Sequence, residues 1–166
     1  MLFELKSVFL SDGETKSISY ELDMTDIDID GIFPFTAPVS VTADACNRTG
    51  LVTLNITCEY PFSRPCDRCG VLVSGVERQV FSHRLVQELV DETNDDYIET
   101  PDFTLELDEV VVSDLILNYP QKFLCGEDCR GLCPKCGKNL NEGKCGCDTA
   151  QVDPRLEILK QLMEDE

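Results

Sequence analysis

Ten cysteines lie along this chain of 166 residues, and eight of them form four close pairs. A short turn between two thiolates lets both sulfurs reach one ion, and a tetrahedral metal ion takes four such ligands. The eight thiolates therefore predict two bound ions, most simply zinc, although iron in a four-thiolate site would give the same pattern. The four pairs are Cys66/Cys69, Cys125/Cys129, Cys133/Cys136 and Cys145/Cys147.

The later pairs carry the more specific signal. Residues 133–137, C-P-K-C-G, have the form of a metal knuckle, in which glycine allows backbone amides to turn toward the sulfurs. The C-G-C motif at Cys145 to Cys147 follows closely, so the two pairs predict a zinc-ribbon-like segment. The economical assignment then joins Cys66/Cys69 to Cys125/Cys129 at another ion. Pairing of Cys125/Cys129 with Cys133/Cys136 is an open alternative.

Other thiol chemistry fits the surrounding residues less well. A redox C-x-x-C motif usually opens a helix, whose dipole lowers a thiol pKa, whereas the flanks of Cys66 and Cys69 are rich in strand-forming residues. A catalytic zinc site normally uses histidine or carboxylate ligands, and the single histidine, His83, lies in a predicted strand. No nucleophile triad, phosphate-binding loop or dinucleotide fingerprint occurs in the sequence. We expect no enzyme, with a thiol-disulfide redox protein as the alternative function.

The charge of the chain is strongly acidic and unevenly distributed. The net charge is −18, and residues 1–119 hold 7 Lys and Arg against 23 Asp and Glu. The acidic surface expected for residues 1–119 would attract a basic partner protein, with Asp95, Asp96 and Glu99 as candidate contacts. The same negative charge disfavours simple nucleic-acid binding. Residues 120–147 alone have a positive side-chain balance. The candidate RNA-contacting residues in that segment are Arg130, Lys135, Lys138 and Lys144.

The first half of the chain has the pattern of strands. Strands are predicted over residues 3–10 and 17–22, and alternating residues 38–60 predict a hairpin that turns at Asn47 to Gly50. A further β-rich run covers residues 71–90, so Cys66 and Cys69 should lie on a loop between two long strands. Cys46 and Cys58 are predicted core positions of the hairpin, because free cysteine packs as a small hydrophobe.

The second half contains fewer core-forming residues. Residues 91–102 predict a surface loop, residues 103–107 a short strand, and Asp108 the N-cap of a helix that reaches Asn118. We expect Val111, Val112, Leu115 and Leu117 to face the sheet. Asp153 and Pro154 predict the start of a C-terminal helix. Its apolar stripe is formed by Leu156, Leu159, Leu162 and Met163.

Together the elements predict an α+β protein built mainly on an antiparallel sheet or a partly open barrel. Residues 1–121 would form a β-rich core domain with one helix. Residues 122–166 would form the metal-binding segment and the terminal helix, which packs on the core. No run of 18 apolar residues occurs, and the start lacks a signal-peptide pattern. We expect a cytoplasmic protein with reduced thiols, no membrane contact and no small-molecule substrate.

The order of these features resembles the bacterial YceD family of large ribosomal RNA subunit accumulation proteins. The resemblance covers nearly the whole chain. It is most specific from Leu124 to Leu162, where C-x3-C-x3-C-P-x-C-G-x-N-L-N-E-G-x-C-x-C precedes D-P-R-L. It implies a non-enzymatic factor in large-subunit ribosome biogenesis that supports the synthesis, processing or stability of 23S rRNA. Binding of rRNA and binding of a basic large-subunit ribosomal protein both stay open as mechanisms.

Overall fold

The computed structural model describes residues 1–29, 31–89, 96–120 and 122–147. The predicted C-terminal helix lies outside these residues. The chain divides into two compact units. The sheet unit comprises Met1–Arg64 and Ser74–Gln121, and the cysteine unit comprises Pro65–Val73 and Lys122–Glu166. Among the described residues, no helix is both long and apolar enough to cross a membrane.

Seven strands and two α-helices follow one another along the described chain, with one short 3-10 turn before the last strand. In chain order they are β1 (Leu2–Glu4), α1 (Lys6–Leu10), β2 (Thr15–Leu22), β3 (Val39–Arg48), β4 (Leu51–Pro65), β5 (Leu72–Val86), β6 (Tyr97–Glu99), the turn Pro101–Phe103, β7 (Thr104–Glu106) and α2 (Leu107–Leu117).

The main sheet has five strands in the order β2-β3-β4-β5-β6. Strand β3 is antiparallel to both β2 and β4, whereas the short strand β6 is parallel to β5. Strands β1 and β7 form a separate antiparallel pair. The predicted α+β class with a sheet as its base is confirmed. The main sheet is mixed, because β6 alone of its described pairings given above is parallel, and the described residues contain no closed barrel.

The predicted hairpin is confirmed as β3 and β4. Its register places Arg48 opposite Leu51, so Thr49 and Gly50 form a two-residue turn. Both have positive φ, 53° and 83°, which matches the twist of the flanking strands. Buried and exposed residues alternate along both strands. Cys58 is buried in the core as predicted, whereas Cys46 is only half-buried.

The core of the sheet unit lies between the sheet and its helices. Leu107, Val111 and Leu115 of α2 are buried, whereas Leu117 is 79% exposed, so its predicted contact with the sheet is wrong. The helix begins at Leu107, which places Asp108 in its first turn rather than at the N-cap. There the carboxylate still favours the helix dipole.

Two short elements differ from the predictions. Residues 3–10 were predicted as one strand, but Lys6–Leu10 form α1. Leu5 and Val8 are both fully buried, and a spacing of three places side chains on one face of a helix. The predicted loop over residues 91–102 contains β6, which gains its backbone partners from the long strand β5. Residues 91–95 of that loop lie outside the described part of the chain.

Candidate metal centres

The first cysteine cluster consists of Cys66, Cys69, Cys125 and Cys129, all in the cysteine unit. Its four sulfurs lie within 4.8 Å of one another. The Sγ atoms of Cys66 and Cys129 are 3.8 Å apart, and those of Cys69 and Cys125 are 3.6 Å apart. Zinc–sulfur bonds of about 2.3 Å give a tetrahedron with edges of about 3.8 Å, whereas a disulfide joins sulfurs at about 2.05 Å. The spacing fits a four-thiolate metal site.

The second cysteine cluster consists of Cys133, Cys136, Cys145 and Cys147, whose sulfurs also lie within 4.8 Å of one another. Cys133 is buried, Cys136 is exposed, and the other two are half-buried. The structure thus brings Cys125 and Cys129 to the loop between β4 and β5 rather than to Cys133 and Cys136. That is the pairing favoured by the sequence. Both clusters could hold a metal ion, and their soft thiolate donors are compatible with zinc.

The two C-x-x-C-G knuckles are built alike. In the first, the N–H of Gly70 donates to the carbonyl of Cys66 and the N–H of Cys66 donates to the carbonyl of Val71, both at 2.8 Å. The second knuckle, residues 133–138, repeats both bonds at 2.9 Å. The glycine of each knuckle has φ near 70°, namely 71° at Gly70 and 69° at Gly137. Glycine adopts this left-handed backbone without steric cost.

Backbone amides aimed at the sulfurs favour ionised thiols. Burial of Cys66 opposes ionisation, but hydrogen bonds from the backbone of Arg68, Cys125 and Cys69 outweigh it and lower the pKa of Cys66 to about 6. The Cys125 N–H lies 3.3 Å from that sulfur. Thiolates stabilised in this way are the form that binds a metal ion.

Backbone N–H groups also favour an ionised thiol in the second cluster. Backbone N–H groups of Cys136 and Lys135 lower the pKa of Cys133 to about 6. The pKa of Cys147 is raised to about 12, first by the sulfur of Cys136, because crowded thiolates disfavour further ionisation.

Cys125 shows the corresponding effect in the first cluster. The sulfurs of Cys129 and Cys69 raise its pKa to about 12. Four thiolates at these distances repel one another, and a divalent cation at their centre would offset that repulsion.

Hydrogen bonds also hold together the two chain segments that supply the first cluster. The Asp67 carboxylate accepts from the Phe123 N–H at 2.6 Å, and the Asp67 N–H donates to the Phe123 carbonyl at 2.9 Å. The Arg68 guanidinium donates through Nη1 to the Cys129 carbonyl at 2.9 Å. Asp67 and Arg68 were not predicted as site residues. Their only signal in the sequence is their position between two ligands.

Asn141 is a further residue of the site that the cysteine spacing does not predict. Its Nδ2 donates to Cys129 Sγ at 3.3 Å, and its Oδ1 accepts from the Arg130 N–H at 2.8 Å. The Asn141 amide is the main cause that lowers the pKa of Cys129. A lone asparagine between cysteine pairs carries no metal-ligand signal, so only the chain path identifies it.

The four candidate RNA-contacting residues are all exposed. Arg130 and Lys144 line one cavity of about 460 Å³, together with Leu140, Cys145 and Cys147. Contact of these cations with RNA stays a prediction. Lys135 lies on the second knuckle, and Lys138 Nζ lies 3.5 Å from the Lys144 carbonyl oxygen.

The acidic candidate contacts and the single histidine belong to the sheet unit. Asp96 and Glu99 are exposed, and Asp95 lies outside the described residues. His83 Nε2 lies 2.7 Å from the Asp114 carboxylate, which links β5 to α2. The side chains are 23% and 13% exposed. This half-buried pair agrees with a structural histidine, and His83 belongs to neither cysteine cluster.

A family model and a curated relative that match this chain carry the same family name. Residues 54–163, more than half of the chain, match the family described as Large ribosomal RNA subunit accumulation protein YceD. A curated relative from Arabidopsis thaliana is named Large ribosomal RNA subunit accumulation protein YCED homolog 1, chloroplastic. It is 26% identical over 162 residues, covering 80% of this chain and 50% of the relative, so the chain spans about half the relative's length. No solved structure gives a significant match.

Proposed function

This chain belongs to the YceD family of large ribosomal RNA subunit accumulation proteins, and from this we propose that it is a non-enzymatic factor in large-subunit ribosome biogenesis. Its action would take place in the cytoplasm and support the synthesis, processing or stability of 23S rRNA. The family name supports the pathway. The surface charges and the cysteine clusters support the following mechanism.

Each cysteine cluster holds one zinc ion in this proposal. The sulfur spacing in both clusters and the amide donors around Cys66 and Cys133 support it. Zinc bound by four thiolates supplies structural stability and leaves no open position for a substrate. The ions would order residues 125–147 as a zinc-ribbon-like segment.

The acidity of the sheet unit is the observation that carries the proposed mechanism. This unit holds 6 Lys and Arg against 22 Asp and Glu, a balance of −16. Among its described residues, 14 acidic side chains are exposed against 4 basic ones. Complementary charge attracts a partner and excludes partners of like charge. The sheet unit therefore binds a basic ribosomal protein of the large subunit and protects it until it joins the rRNA.

Direct rRNA binding is the second candidate mechanism, and the cysteine unit favours it. Arg130 and Lys144 converge on one cavity beside Leu140. Two cations around an apolar floor could accept a phosphate and the face of a base. Among the described residues that line this cavity none is aromatic, and aromatic stacking is a main source of affinity for unpaired bases. We therefore rank this mechanism second.

The thiol-disulfide redox alternative is less well supported. In each cluster four sulfurs lie together rather than two. Neither C-x-x-C motif opens a helix within the described residues; both form turns closed by a glycine. Two tightly bound metal ions per chain would contradict the redox function.

Two charge variants separate the protein and RNA mechanisms. One carries Asp96→Asn and Glu99→Gln, and the other carries Lys135→Glu, Lys138→Glu and Lys144→Glu. Each is tested for capture of purified basic large-subunit ribosomal proteins and for filter binding to 23S rRNA fragments. Metal content and thermal unfolding serve as controls for folding.

We expect the acidic-site variant to lose protein capture while the lysine variant keeps it. The opposite result, with rRNA binding lost in the lysine variant and its salt dependence reduced by about one unit per lost contact, would establish the RNA mechanism instead. Unchanged large-subunit rRNA levels in cells that lack the protein would contradict the proposed function as a whole.

A further inference from the structure

The side chain of Asn141 connects the two cysteine clusters. In sequence it lies between Cys136 and Cys145 of the second cluster, yet its Nδ2 donates to Cys129 Sγ of the first cluster at 3.3 Å. Its Oδ1 accepts from the Arg130 N–H at 2.8 Å, which fixes the amide orientation. The carboxamide therefore offers its N–H to the sulfur and cannot turn its oxygen there without losing the second bond.

The backbone of Asn141 is held by residues that flank the second knuckle. Its N–H donates to Asn139 Oδ1 at 3.0 Å. Asn139 forms an antiparallel bridge with Leu132, and the Leu140 N–H donates to the Gly131 carbonyl at 2.9 Å. This segment is enclosed in sequence by ligands of the second cluster. The position of Asn141 therefore depends on the geometry of the second cluster.

A second connection runs through the backbone of the same region. The Leu132 N–H donates to the Arg68 carbonyl at 3.2 Å, and the Arg68 side chain donates to the Cys129 carbonyl at 2.9 Å. Residues between Cys129 and Cys133 thus contact the first knuckle directly. Both connections therefore end on one residue of the first cluster, the Asn141 amide on the Cys129 sulfur and the Arg68 guanidinium on the Cys129 carbonyl.

We propose that Asn141 couples the two clusters, so that a metal ion in the second cluster raises the affinity of the first cluster for its own ion. Asn141 is a positioning residue in this scheme, because it contacts a ligand sulfur and not the metal. Hydrogen bonds to ligand atoms set their orientation and charge, and their loss typically weakens metal binding by about 10- to 100-fold. The inference rests on the proposed function only in assuming that both clusters bind metal.

Asn141→Asp is the variant that tests the hydrogen bond to Cys129 most directly. The carboxylate keeps an oxygen that can accept from the Arg130 N–H, but it has no N–H for the sulfur and adds a charge that repels the thiolate. The double variant Cys145→Ser, Cys147→Ser removes the second cluster while leaving every ligand of the first. Asn55→Asp, an exposed position on β4 of the sheet unit, is the matched control for the charge change.

Zinc affinity is measured by competition with a chromophoric chelator, and cobalt(II) absorption reports four-thiolate geometry. We expect the first cluster to bind zinc about 10- to 100-fold more weakly in Asn141→Asp and in the double cysteine variant. Combining the changes should cost less than the sum of the two separate losses, since both remove the same connection and only Asn141→Asp adds a repelling charge. Asn55→Asp should match the unaltered chain.

Two results would overturn the coupling: unchanged first-cluster affinity after loss of the second cluster, or losses that add fully when the variants are combined. Fewer than two zinc ions in the unaltered chain would overturn the coupling together with the metal assignment. If the second cluster has no effect on the zinc affinity of the first, but the protein still binds a basic ribosomal protein, only the coupling is contradicted and the proposed function is not. If the two clusters are coupled but the protein captures no ribosomal protein, only the proposed function is contradicted.

Discussion

At the scale of single residues, the first cysteine cluster depends on a close approach of two backbones. Gly131 has a φ of 71°, and a Cβ at this position would lie 3.0 Å from the Arg68 carbonyl oxygen. That carbonyl accepts from the N–H of Leu132, so it cannot move away without loss of the bond. Both the conformation and the space at residue 131 require glycine.

Gly131→Ala should therefore destabilise the cysteine unit by about 1–2 kcal/mol for the left-handed backbone alone, with a further cost from the short contact. Urea unfolding of the metal-loaded protein measures the change. Gly126→Ala is the matched control, because no atom of the described residues would lie within 4 Å of a Cβ at Gly126 and its φ is not positive. Equal stability of the two variants would show that the contact between residues 68 and 131 does not constrain the fold.

The sequence predicts the ligand residues of the candidate site better than their surroundings. The cysteine pairs are visible because a metal site needs local thiol spacing, which a sequence records directly. The contacts of Asp67, Arg68 and Asn141 depend on which segments meet in space. No local rule specifies that a carboxylate at residue 67 accepts from an amide at residue 123.

At the scale of elements, long regular patterns were predicted well and short elements poorly. Alternation along residues 38–60 predicts the hairpin of β3 and β4, because each strand buries one face over many residues. Strand β6 has only three residues and depends on β5 for its hydrogen bonds, so its sequence carries almost no signal. The sequence of helix α1 also fits a strand, because five residues can satisfy either period.

The loop between β4 and β5 joins distant parts of the chain through the first cysteine cluster. Cys66→Ser should reduce bound zinc from two equivalents to one, because three remaining thiolates cannot complete the tetrahedral set. It should also destabilise the protein, since the cluster closes a long segment of chain. Elemental analysis of protein purified without chelator measures the metal.

Cys46→Ser is the control for this experiment. Cys46 is half-buried on β3, and it is not a member of either cluster. It should retain both ions and nearly full stability. A Cys66→Ser protein that still binds two ions would contradict the assignment of Cys66 to a metal site.

At the scale of the whole molecule, the two units are stabilised by different means. In the sheet unit, 19 buried hydrophobic residues of the described chain form one core. In the described part of the cysteine unit, one cluster contains three buried cysteines, with Val73 and Leu124 packed against them. So small an apolar cluster offsets little of the entropy lost on ordering the described residues of this unit. A metal ion in each cysteine cluster would supply folding free energy that this apolar cluster lacks.

Removal of metal should therefore unfold the cysteine unit and leave the sheet unit folded. Hydrogen exchange with and without a strong chelator tests this on the intact chain. We expect the Cys133 and Gly137 amides to lose protection on chelation, because their hydrogen bonds form the second knuckle. Amides paired between β2, β3 and β4 should keep theirs, since the hydrophobic core requires no metal. Added zinc should restore the original pattern. Persistent protection at Gly137 without metal would show that packing alone orders the knuckle, whereas exchange throughout the sheet would show that both units depend on the ions.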